Sequence, residues 1–140
     1  MNAPLTHADV ARRAPGLAIA GLQVLLVEDE PLVALDIEMA LEDAGALVHG
    51  PAPSVAIAHS LLDDDWPIDV AILDVNLQDS DVYPVAERLQ RAGVPFVFHT
   101  GHASRAELAR RFPGCIVCRK PVPTDTLLGA LDDLLLQRNG

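Results

Sequence analysis

Four short apolar runs punctuate the chain, and each closes on polar residues. Leu25-Leu26-Val27 runs into Glu28-Asp29-Glu30, Val70-Ala71-Ile72-Leu73 into Asp74, Phe96-Val97-Phe98-His99 into Thr100, and Cys115-Ile116-Val117-Cys118-Arg119 into Lys120-Pro121. Continuous apolar runs of this length suit strands covered on both faces. Strands are therefore predicted over Gln23–Val27, Val70–Asp74, Val94–Thr100 and Ile116–Arg119, with a shorter one over Leu47–Gly50. Between them the period lengthens to that of a helix. After Pro31, whose missing N–H costs nothing in a first turn, Val33, Ile37, Ala40, Leu41 and Ala44 share one face. Asp36, Glu38, Glu42 and Asp43 lie away from it, and Gly45 ends the helix. Ser54 caps a helix through about Leu62. A third helix runs from about Tyr83 to Ala92. Ser104-Arg105-Ala106-Glu107 has capping-box spacing and opens a helix ending near Phe112; being short and weakly apolar, it is expected to be the most mobile. The last helix runs from about Thr124 to Leu136, with Leu127, Leu128, Leu131, Leu134 and Leu135 forming a broad face that reads as core.

Five strand–helix units predict an α/β fold, with a parallel sheet, right-handed crossovers and helices on both faces. Open sheets of this kind bind ligands beyond the carboxyl ends of their strands. That rule gathers positions 28, 29, 74, 100 and 120 at one rim.

Composition narrows the class. The 140 residues, 50% of them apolar, suffice for one domain with its own core. Residues 1–21 mix Pro4, Pro15, Gly16 and Gly21 with Ala and Arg and read as an N-terminal extension, flexible or partly helical, before a domain over 22–137. The net charge of −10 argues against non-specific binding to nucleic acid or an anionic membrane. No apolar run approaches the ~20 residues that span a bilayer, and no secretory signal opens the chain, so the expected address is the cytoplasm. Cys115 and Cys118 stand three apart on one strand and so point to opposite faces. They read as small core residues in a reducing compartment. Asp63-Asp64-Asp65 reads as solvated loop charge.

The rim residues carry the chemistry. Lys120 is the only lysine among ten basic residues, and a compact ammonium suits a phosphoryl oxygen or a carboxylate. Glu28, Asp29 and Asp74 would repel one another unless a hard divalent ion joined them, and few carboxylates with retained waters suit Mg²⁺. The competing reading is helix N-capping, which stabilises acids at a helix start without any metal. Repetition of the pattern at Asp74 favours the ion. Asp74 is the candidate nucleophile, able to form an aspartyl phosphate, with Mg²⁺ and Lys120 neutralising the charge that develops.

The segments Leu25-Leu26-Val27-Glu28-Asp29-Glu30, Ile72-Leu73-Asp74-Val75-Asn76-Leu77, Thr100-Gly101 and Lys120-Pro121 resemble the receiver domain of two-component response regulators, from about Leu22 to Leu136. The resemblance implies a flavodoxin-like five-stranded sheet of order 2-1-3-4-5. It implies that Asp74 accepts a phosphoryl group from a histidine kinase or phosphotransfer protein. Asp29 and Asp74 would bind Mg²⁺ directly, Glu28 through water and Asn76 through its backbone carbonyl. Thr100 and Lys120 would contact the phosphoryl group, and the Lys120–Pro121 bond would be cis. Asp81-Val82-Tyr83-Pro84-Val85-Ala86 and Pro95-Phe96-Val97-Phe98-His99-Thr100-Gly101-His102 are similar to the single-domain receivers of the FATGUY group, associated with alphaproteobacterial kinases of the HWE and related types. His99 and His102 stand where that group usually has Ala and Tyr. By this resemblance His102, two residues beyond Thr100, would tune hydrolysis or kinase contact.

Val117 stands where many receivers carry an aromatic residue that swings inward, so coupling is expected through the loop after Thr100 and the helix following it. With the chain ending at Gly140, output is expected through binding another protein, or by draining phosphoryl groups from a kinase. Homodimerisation through the last helices is compatible with the sequence. The expectation is a signalling protein rather than an enzyme, limited to its own phosphorylation and dephosphorylation. The rival is a Mg²⁺-dependent phosphohydrolase with an aspartyl nucleophile. Such enzymes usually carry a second acid where this chain has Asn76.

Overall fold

The computed structural model describes residues 15–139. Val24, Leu25, Leu26 and Val27 are fully buried, as are Val70, Ala71 and Leu73; strands so placed need cover on both faces. They belong to β1 (Gln23–Val27) and β3 (Val70–Leu73), which lie side by side. Outside them are β2 (Leu47–Ala52) on one edge, then β4 (Phe96–Thr100) and β5 (Ile116–Arg119) on the other. All pairings are parallel, in the order β2-β1-β3-β4-β5, so the α/β sheet and its strand order are as expected.

Side chains alternate between two cores, as the two-residue period of a strand requires. Leu25, Val27, Ala71, Leu73, Phe96 and Phe98 face a core covered by α2 (Val55–Asp63), α3 (Tyr83–Arg91) and α4 (Arg105–Arg111). Val24, Leu26, Val70, Ile72, Val97 and Cys118 face a second core, under α1 (Pro31–Asp43) and α5 (Thr124–Asn139). Leu127, Leu128, Leu131 and Leu135 are buried there, so the leucine face of the last helix is core. Cys115 packs against the first core and Cys118 within the second, both as free thiols. The Phe112 ring lies 5.4 Å from Phe98, 5.8 Å from Phe96 and 5.9 Å from Tyr83, tying the end of α4 to the sheet and to α3.

Local signals set the element ends. Ser54 accepts from the Ile57 N–H, and Ser104 from the Glu107 N–H. β2 runs two residues past the predicted Gly50, through Pro51 to Ala52. A proline lacks a ladder donor, but an edge strand tolerates one. Gly50 has φ +107°, and a Cβ there would stand 2.5 Å from the Leu26 carbonyl oxygen; only glycine fits so close to β1. β4 begins at Phe96 rather than Val94, and α5 continues to Asn139. The Lys120–Pro121 bond is cis, as is Gly50–Pro51.

Part of the N-terminal extension packs on the domain. Residues Leu17–Ile19 form a 3₁₀ turn, and Ile19 is fully buried in the core under α1 and α5. Residues 1–14 of that extension lie outside the described residues.

Candidate functional site

The sheet ladder continues one residue beyond the strands and fixes the acids at the rim. The Glu28 N–H donates to the Ala52 carbonyl and the Asp74 N–H to the Val27 carbonyl, both at 2.9 Å. On the other side the Lys120 N–H donates to the Thr100 carbonyl at 3.0 Å. Three strand ends are thereby locked in register, and their next side chains converge.

Lys120 lies at the centre. Its Nζ donates to Asp74 Oδ2 at 3.2 Å, to Glu30 Oε1 at 2.8 Å and to Glu28 Oε2 at 3.2 Å. Glu28 Oε1 lies 2.9 Å from the same nitrogen but outside hydrogen-bond geometry, which leaves it buried without a hydrogen-bond partner among the described residues. Glu28, Asp29, Glu30 and Asp74 each bring a carboxylate oxygen within 4.8 Å of the others. Four hard oxygen donors at that spacing suit a hard divalent cation of the Mg²⁺ type.

Burial and like charge set the protonation of the cluster. The Asp74 carboxyl is pushed up to about 6, first by burial and then by the neighbouring Glu28, against the pull of Lys120. Asp29 is raised by burial and by Asp74. Glu30 is held below the usual carboxylate range by its hydrogen bond and ion pair with Lys120. Burial opposes the charge on Lys120, yet its bonds to Glu30 and Glu28 and the charge of Asp74 outweigh burial and hold the ammonium above its ordinary value.

A cavity of about 730 Å³ opens over the cluster, lined in part by Asp29, Glu30, Asp74, Asn76, His102 and Lys120. Of the residues singled out from sequence, Glu28 and Thr100 stand apart from its wall, at 2% and 0% exposure. The Thr100 hydroxyl oxygen accepts the N–H groups of His102 and Ala103, both at 3.4 Å. The Arg119 guanidinium donates to the Ala103 carbonyl at 2.7 Å, and that of Arg105 to the Val117 carbonyl at 3.4 Å. The loop carrying Asn76 is braced as well. Asn76 bridges to Asp81, and Asp79 accepts the Val55 and Ala56 N–H groups at the start of α2.

Two residues at the rim were not assigned a role from sequence. Glu30 is the closest partner of Lys120, and its signal was its place directly after Glu28-Asp29. His99 is 4% exposed, its Nδ1 is 3.7 Å from Glu28 Oε1, and neither ring nitrogen has a hydrogen-bond partner among the described residues. Burial, followed by the nearby Lys120 charge, pulls its pKa down to about 4. Its signal was a polar residue at the end of an otherwise apolar strand.

A doubly wound parallel sheet of order β2-β1-β3-β4-β5 with acids, a hydroxyl and one lysine at its carboxyl rim places the chain among receiver-type α/β domains as a class. Residues 24–131 match the response regulator receiver domain family, and the chain belongs to that family. It is 29% identical over 101 residues to the phyllosphere-induced regulator PhyR of Methylorubrum extorquens, a match covering 71% of this chain and 38% of PhyR. The chain thus spans well under half the length of that curated relative. Among solved structures it is similar to SdrG of Sphingomonas melonis Fr1, at 41% identity and a TM-score of 0.69 over 82% of this chain and 97% of that one. It is also similar to a response regulator receiver protein of Sinorhizobium medicae WSM419, at 33% identity and a TM-score of 0.75 over 84% and 97%.

Proposed function

We propose that this receiver domain accepts a phosphoryl group on Asp74 from a histidine kinase, of the HWE type, or from a phosphotransfer protein, and signals by binding a further protein or by draining the kinase. The observation that carries the reading is the 3.2 Å contact between Lys120 Nζ and Asp74 Oδ2 inside a ring of carboxylates. In this reading a carboxylate oxygen of Asp74 attacks the phosphorus of a phosphohistidine. The P–N bond breaks, the imidazole leaves with the bonding pair and takes up a proton, and an acyl phosphate remains.

Asp29, Asp74 and the Asn76 carbonyl would hold Mg²⁺, with Glu28 reaching it through water. When bound, the ion would neutralise charge on the transferring group. Lys120 would exchange its bond to Asp74 for one to a phosphoryl oxygen, and the Thr100 hydroxyl would turn to donate to another. His102, on the cavity wall beside Thr100, would govern access of water to the acyl phosphate. The relay would operate in the cytoplasm, with residues 22–137 as the receiver unit.

The test is transfer of radiolabelled phosphate from autophosphorylated histidine kinases to wild type and to Asp74→Ala. Label should appear on wild type alone. Label retained on Asp74→Ala overturns the assignment.

A further inference from the structure

We propose that Glu30 is a positioning residue that holds the Lys120 ammonium away from an incoming phosphoryl group and so weakens the binding of that group at Asp74. The proposal rests on the reading of Asp74 as phosphoacceptor. Three observations carry it. At 2.8 Å, Glu30 makes the shortest hydrogen bond to Lys120 of the three carboxylates bonded to it. It also occupies the N-cap position of α1 with extended backbone, yet its side chain makes no capping bond. Glutamate is not among the favoured capping side chains, so this one is free to reach across the rim to Lys120.

Exposure separates the three partners. The side chains of Glu28 and Asp74 are 1% and 6% exposed, whereas that of Glu30 is 59% exposed. Glu28 and Asp74 are fixed by burial and by the strand ends that carry them. The Glu30 carboxylate can return to water at little cost, so this contact alone can be made and released without rebuilding the core. An arriving phosphoryl anion must compete with Glu30 for the ammonium and also meets its negative charge.

Lys120 is the chain's only lysine, so lysine-selective isotope labelling gives one ammonium signal that needs no assignment. Beryllofluoride, a phosphoryl mimic, is titrated by ¹⁹F NMR at saturating Mg²⁺ into wild type, Glu30→Gln and Asp74→Asn, and the lysine signal is recorded in each. Glu30→Gln should bind beryllofluoride roughly three- to tenfold more tightly, as expected for removing a screened charge near an anion. Its lysine signal should shift before beryllofluoride is added, with the melting curve unchanged. Unchanged or weaker beryllofluoride binding overturns the proposal. Tighter binding with an unmoved lysine signal also overturns it, because Glu30 would then act by charge alone. Loss of Mg²⁺ affinity in Glu30→Gln as large as in Asp29→Asn overturns it by making Glu30 a metal ligand, a smaller loss being that of one nearby charge. Failure of wild type to bind beryllofluoride, or equal binding by Asp74→Asn, removes the phosphoacceptor reading itself and is seen without changing Glu30.

Discussion

The carboxylate of Asp132 on α5 accepts the Gly16 N–H at 2.7 Å across 116 positions of sequence, and its other oxygen accepts the Ala18 N–H at 3.0 Å. This clamp ties the segment before β1 onto the receiver unit. It holds Ile19 in the core and sets Gly16, at φ +88°, where a Cβ would stand 2.8 Å from Leu128 Cδ2. Asp132→Ala strands two backbone donors and should lower unfolding free energy by about 1–3 kcal/mol. Ile19→Ala should cost about 2–5 kcal/mol through the cavity it leaves. Urea denaturation of residues 1–140 measures both. Losses within about 0.5 kcal/mol, typical of neutral surface changes, would show the clamp to be dispensable.

Asp74 and His99 should make opposite contributions to the pH dependence of stability without metal. Asp74 is raised from 3.8 to about 6 in the fold. The folded state therefore holds its proton longer than the unfolded one, and stability is lost as pH rises through about 4–6. His99 is lowered from 6.5 to about 4. There the unfolded state takes the proton first, so stability is present above about 6.5 and lost as pH falls toward 4. Each shift corresponds to about 3 kcal/mol. Relative to wild type, Asp74→Asn should gain stability as pH rises from 4 to 6, and His99→Leu should gain as pH falls from 6.5 to 4. Chemical denaturation in EDTA-containing buffers at several pH values reads both. Parallel curves for wild type and either variant would contradict the corresponding shift.

The parallel sheet and the gathering of Asp29, Asp74 and Lys120 at one rim were legible in sequence because they follow from period and topology, whereas the strand order and the place of Asn76 were legible only through the resemblance to receiver domains. Buried parallel strands announce themselves as apolar runs, and their carboxyl ends must share a rim. Glu30 and His99 were not legible in the same way. Whether an exposed acid at a helix start turns to the helix or to Lys120 depends on a side-chain torsion that no spacing encodes. His99 ends an apolar run, yet its proximity to Glu28 arises from register across β1, β3 and β4. The Gly50–Pro51 extension of β2 was hidden because proline normally signals the end of a strand, a rule relaxed at a sheet edge.

Mg²⁺ should stabilise the domain by occupying the acidic cluster. At a free concentration 100-fold above its Kd, a ligand bound only by the folded state adds about 2.7 kcal/mol. For a domain of this size that is a rise in Tm of roughly 5–10 °C. Asp29→Asn removes one oxygen charge from the cluster and should abolish most of the rise, and EDTA should reverse it in wild type. An equal rise in wild type and Asp29→Asn would place the ion elsewhere.

Thr100 should transmit phosphorylation through the loop that its hydroxyl now holds. When the hydroxyl turns to a phosphoryl oxygen, the His102 and Ala103 N–H groups lose their acceptor and the loop must move. Val117 supplies no ring to follow it. The Arg119 guanidinium, bonded to the Ala103 carbonyl at 2.7 Å, links the moving loop to β5 beside Lys120. On adding beryllofluoride and Mg²⁺, the largest amide shifts in a ¹⁵N NMR spectrum should therefore fall between Thr100 and Phe112. In Arg119→Ala the shifts at His102, Ala103 and Lys120 should persist while that of the amide at position 119 shrinks, since only the guanidinium bridge is lost. Shifts confined to the immediate surroundings of Asp74 in wild type would show that the loop does not carry the signal.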